Sequence, residues 1–106
     1  MKLLLTFTFA SFVAISSYGQ AEIPKEINTL LTKNMCSSCH KLDEKLIGPS
    51  YKELASTKMK PKEIAALIVE PKPSNWPDYP PMAAMPYLKE DEVKKMAEWI
   101  ASLSEE

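Results

Sequence analysis

Apolar side chains recur at helical spacing in four stretches of the chain after residue 22. Ile27, Leu30 and Leu31 form one stripe within residues 24–34 and predict a helix, with Pro24 at its first position, where a missing N–H goes unused. Tyr51, Leu54 and Ala55 predict a short helix from Ser50 to Ser56, and Ile64, Leu67 and Ile68 a third from Pro61 to about Val69. The last and longest pattern, Lys89 to Leu103, puts Val93, Met96, Ala97, Ile100 and Leu103 on one face, with Trp99 at its edge. Glu90, Asp91 and Glu92 fall in its first turn, where the helix dipole favours acids. The sum is an all-α fold of about four helices.

Between the third and fourth patterns, residues 70–87 hold six of the nine prolines, which rules out regular helix or sheet there. A disordered linker would be polar, but this segment carries Trp76, Tyr79, Tyr87, Met82 and Met85. It is expected to be an ordered loop lying against something flat and apolar. Residues 41–47 read as a polar connection ending at Gly48-Pro49, and Gly48, the only glycine past residue 19, marks a place where the backbone needs freedom.

The N-terminus follows a different logic. Lys2 followed by an uncharged run from Leu3 to Ile15, then small residues around Gly19-Gln20-Ala21, reads as an export signal over residues 1–21 that is cleaved. The run is shorter than the roughly 20 apolar residues that span a bilayer. Residues 22–106 remain as one small domain, expected to be monomeric and, once processed, not membrane-spanning. A chain of this size buries only about 60 to 65% of its unfolded surface and needs a staple. With 13 lysines, no arginine and 14 acids the net charge is −1, which argues against a nucleic-acid partner.

The staple is written at residues 36–40, Cys-Ser-Ser-Cys-His, which contain both cysteines and the sole histidine of the chain. Two thiols three positions apart can each add across a haem vinyl group, and the histidine after them is delivered to the iron. A thioredoxin-like couple would need a preceding strand, and none is apparent before Cys36. A structural zinc site would need a fourth ligand, and a plain disulfide leaves His40 without a reason. One covalently attached haem c is the cofactor this motif predicts, with Cys36 and Cys39 as its tethers and His40 as iron ligand. The sixth iron position then falls to a methionine, since no second histidine exists. Met82 and Met85 are the candidates in the proline-stiffened loop, whereas Met35 adjoins the motif, Met59 lies in a short turn and Met96 belongs to a core stripe.

Over nearly the whole of residues 22–106 the chain resembles the small bacterial class I cytochromes c, the short monohaem type. The likeness is carried by Leu30-Leu31-Thr32-Lys33-Asn34, Cys36 to His40, Leu46-Ile47-Gly48-Pro49-Ser50-Tyr51-Lys52, Trp76, Pro81-Met82, and Asp91-Glu92 to Ala97-Glu98-Trp99-Ile100. The resemblance implies that the Pro49 carbonyl accepts the second ring N–H of His40, that Trp76 donates to a haem propionate, and that Met82 is the sixth ligand. Family members place prolines directly after that ligand; here Ala83-Ala84 follow Met82 and Pro86 follows Met85, so Met85 stays as the alternative. Lys89 stands where a serine usually caps the last helix, so that end is expected to fray. The implied function is a periplasmic electron carrier, not an enzyme, working in a respiratory chain. Its partners would be a donor and an acceptor protein, a terminal oxidase or a nitrite reductase among them. The competing reading is a haem protein whose open sixth site binds small ligands or has weak peroxidase activity.

Overall fold

The computed structural model describes residues 22–105, together with residues 3, 4, 6 and 8–11 near the N-terminus. The predicted cleavage positions of the export signal lie outside the described residues. Four helices follow in order: α1 (Lys25–Lys33), α2 (Tyr51–Ser56), α3 (Pro61–Val69) and α4 (Glu90–Ser102). Short 3₁₀ turns occupy Cys36–Ser38, Pro73–Asn75 and Leu103–Glu105, and no strand occurs among the described residues. No described helix is long and apolar enough to cross a membrane.

Each boundary has a local cause. Pro24 sits just before α1 as its N-cap, with an extended ψ of 141°, so the helix begins at Lys25, one position later than the sequence predicts. Ser50 likewise caps α2 from outside: its side chain accepts from the Glu53 backbone N–H at 3.1 Å, so the helix begins at Tyr51. Pro61 opens α3 as the sequence predicts. Lys89 is the N-cap of α4 and makes no side-chain capping bond, yet regular helix starts at Glu90, behind three acids in the first turn.

The core is dominated by α4. Val93, Met96, Ala97 and Ile100 are buried from it, Leu103 from the turn that follows, and these meet Leu31 of α1, Tyr51 and Ala55 of α2 and Ile64 of α3. Leu67 and Ile68 are half-buried: Ile68 packs against this core as expected and also lines a cavity, whereas Leu67 lines the cavity instead. The α1–α4 seam also carries polar groups. Glu92, predicted only as a first-turn acid, is buried, with Oε2 accepting from Lys33 Nζ at 2.9 Å and Oε1 from Asn34 Nδ2 at 3.5 Å. Lys95 pairs with Glu26 farther along the same seam at 3.1 Å.

Candidate haem-binding site

α1 ends against Met35, whose φ of 65° is left-handed. That corner turns the chain out of the helix and into the Cys36–Ser38 turn, closed by the Cys39 and His40 N–H groups on the Cys36 carbonyl at 3.1 and 3.0 Å. Both thiols are half-buried and not bonded to each other. Burial pushes the Cys36 thiol above its ordinary pKa, and the neighbouring Cys39 adds to the rise against a backbone hydrogen bond that opposes it.

His40 is held from two sides. Its Nδ1 lies 2.7 Å from the Pro49 carbonyl oxygen, which can only accept, so Nδ1 carries the proton and Nε2 is left as the nitrogen free for a metal. Gly48 then passes the ring so closely that a Cβ there would stand 2.6 Å from Cε1 and 2.9 Å from Nδ1. The glycine has no positive φ. Space for the imidazole, rather than the backbone freedom expected from sequence, is what this position requires. The Gly48 N–H donates to the Cys39 carbonyl at 2.7 Å, so the loop folds back onto the motif itself.

Cys36, Cys39 and His40 open onto one cavity of about 510 Å³, within the range of ligand and cofactor sites. Its walls are almost wholly apolar, drawn from every helix and from the proline-rich loop. Pro49, Trp76, Met82 and Met85 all line it, so the structure gathers every sequence-predicted site residue around one space. Met85 is half-buried and Met82 is 39% exposed at the mouth. Met35, Met59 and Met96 reach the cavity wall as well, which their sequence positions did not suggest. Asn34 Nδ2 approaches the Met96 sulfur at 3.9 Å, which engages that thioether in the core.

Tyr51 is the residue that sequence reasoning took for plain packing. It is 2% exposed and lies 5.6 Å from the His40 ring and 5.1 Å from Trp99 between centroids. Its hydroxyl is buried without a hydrogen-bond partner among the described residues. Burial drives its ionisation far above the ordinary phenol range, with the Cys36 thiol contributing next and the Ser37 side chain opposing the rise. An unpaired buried hydroxyl is costly. This one stands on the cavity wall, where a bound group with polar edges would give it a partner. The apolar walls, the cradle at Gly48, the oriented imidazole and this orphaned hydroxyl together fit a large flat apolar group with polar edges.

The sequence profile of the family described as Cytochrome c matches residues 24–104. The chain belongs to the cytochrome c family. It is also 30% identical to cytochrome c-552 of Nitrosomonas europaea (strain ATCC 19718) over 109 aligned positions, covering 97% of this chain and 99% of that protein. This chain is a monohaem cytochrome c, an electron carrier rather than an enzyme. Its one haem c matches the Cys36–Cys39 pair and His40.

Proposed function

We propose that this cytochrome c is exported and carries electrons in the periplasm with His40 and Met82 as its axial iron ligands and Cys36 and Cys39 as its thioether tethers. The observation behind this reading is that a clamped imidazole and a proline-flanked thioether line the same apolar cavity. Haem c supplies a one-electron ferrous/ferric couple. The protein's part is to hold the donors and keep water out. The Pro49 carbonyl fixes the imidazole tautomer, Trp76 serves a propionate through its indole N–H, and the apolar walls disfavour the more highly charged oxidised state. Met35, Ile47, Met82 and Tyr87 are exposed and line the cavity mouth, giving a redox partner an apolar face to dock on. Such docking is small, weak and quick to dissociate, as a shuttle needs. A terminal oxidase or a nitrite reductase fits as acceptor.

Met82→Ala and Met85→Ala in the haem-loaded protein test the ligand set. The far-red absorption band of sulfur bound to ferric iron should vanish in Met82→Ala, and the reduced variant should bind carbon monoxide. Loss of the band only in Met85→Ala would move the ligand to Met85. Carbon monoxide binding by the reduced wild type, with no such band, would establish the open-site reading instead.

A further inference from the structure

Residues 80–84 cross the mouth of the cavity with every residue exposed, and among the described residues none of them makes a backbone hydrogen bond. The span is therefore only as well placed as its two ends. At the far end the Met85 N–H donates to the Val69 carbonyl at 2.9 Å, pinning the chain to the last residue of α3. At the near end the backbone reaches no other element, since the Tyr79 N–H bonds within its own turn, to Trp76. What ties this end to the body of the protein is the Tyr79 side chain. Its hydroxyl donates to Glu53 Oε2 on α2 at 2.9 Å, Lys45 Nζ sits 4.8 Å from its ring centroid, and Trp76 packs edge-on at 6.0 Å. Glu53 is itself fixed, because its N–H is the one that Ser50 caps.

An exposed tyrosine–carboxylate bond is ordinarily a minor surface contact. Here it stands alone. Among the described residues it is the sole side-chain hydrogen bond made anywhere in residues 70–88, and no ion pair involves that segment. Pro77 on one side of Tyr79 and Pro80-Pro81 on the other stiffen the chain, so a constraint at residue 79 is transmitted to residue 82 rather than absorbed.

We propose that Tyr79 is a positioning residue for the Met82 thioether: tethered to Glu53 and flanked by Lys45 and Trp76, it fixes the near end of the span whose far end is fixed at Met85. The proposal rests on Met82 being the axial donor. Tyr79 touches neither iron nor partner in this role; it restricts how far residues 80–84 swing from the cavity.

The test uses haem-loaded protein and four variants, Tyr79→Phe, Tyr79→Ala, Glu53→Gln and Met82→Ala, with the far-red sulfur–iron band, the rate of carbon monoxide binding to the reduced form and the far-ultraviolet helix signal as readouts. Tyr79→Phe keeps the ring and loses only the hydroxyl. It should bind carbon monoxide about fivefold faster than wild type at unchanged helix content, as expected for loss of one hydrogen bond. Tyr79→Ala should bind faster still and weaken the band, whereas Glu53→Gln, which keeps an oxygen acceptor, should stay nearer wild type. In a Met82→Ala background the Tyr79→Phe substitution should have no further effect on carbon monoxide binding. Wild-type rates and an intact band in both Tyr79 variants, with the band lost in Met82→Ala, would overturn the positioning role and leave the ligand assignment standing. A band that survives Met82→Ala would overturn both. If Tyr79→Ala does not fold, Tyr79→Phe alone decides.

Discussion

Gly48 shows how a single hydrogen atom can hold a ligand in place. Its neighbour Pro49 offers the carbonyl that orients His40, and the bare Cα lets the imidazole lie against the backbone. Replacing it with alanine would stiffen the unfolded chain, a gain of about 0.4–1 kcal/mol, but would drive a methyl group into the ring, a loss of about 1–3 kcal/mol. The loss wins because the hydrogen bond from Nδ1 to the Pro49 carbonyl keeps the ring from moving away. Gly48→Ala should therefore lower the denaturant midpoint of the haem-loaded protein and perturb the His40 ring resonances, and an unchanged midpoint would show that the loop yields freely. Sequence alone marked Gly48 as special for the wrong reason, since a glycine in a string carries no record of which side chain folds over it. Met82 and Met85 illustrate the same limit: their placement in a stiff loop was legible, and their shared cavity was found only in three dimensions.

The start of α2 and the seam between α1 and α4 depend on polar contacts that amphipathic patterning does not describe. α2 has six residues, too short to persist by itself, and Ser50 supplies its first hydrogen bond. Ser50→Ala should cost about 1 kcal/mol of unfolding free energy, measured by chemical denaturation, and Ser50→Asp should recover most of it. The sequence pattern located this helix but placed Ser50 inside it, whereas Ser50 caps it from outside. The α1–α4 seam was not legible, because nothing in the spacing of Lys33, Asn34 and Glu92 links residues so far apart in the chain. Lys33 holds the Glu92 carboxyl below its ordinary pKa of 4.5, with Asn34 helping and burial opposing. The unfolded chain then takes up this proton more readily than the folded one, so the seam contributes its stability above that value and loses it as pH falls through the lowered one. Glu92→Gln should be less stable than wild type at neutral pH, and the gap should close as unfolding is followed from about pH 6 down to about pH 3. Parallel curves across that range would show that the seam does not titrate.

At the scale of the molecule, the number, order and approximate bounds of the helices were all legible because each has its own apolar stripe. Two features the patterning did not foresee, Leu67 turned to a cavity and Tyr51 set beside His40, share one cause: the hydrophobic interior here is built around a group that the amino-acid sequence does not contain. A small chain whose helices line a cavity of about 510 Å³ cannot close that space with its own side chains. A Cys36→Ala/Cys39→Ala chain produced without haem should lose most of its helical circular dichroism and its cooperative thermal transition, and retention of both would show that the protein core suffices. The distribution of the buried side chains also has a consequence for biosynthesis. Val93, Met96, Ala97, Ile100 and Leu103 make up the greater part of the buried apolar set among the described residues, and they are synthesised after α1, α2 and α3. Until they emerge, α1, α2 and α3 have no common surface to rest on. The nascent polypeptide is thus expected to stay pliable around Cys36 and Cys39 at least until α4 has been made.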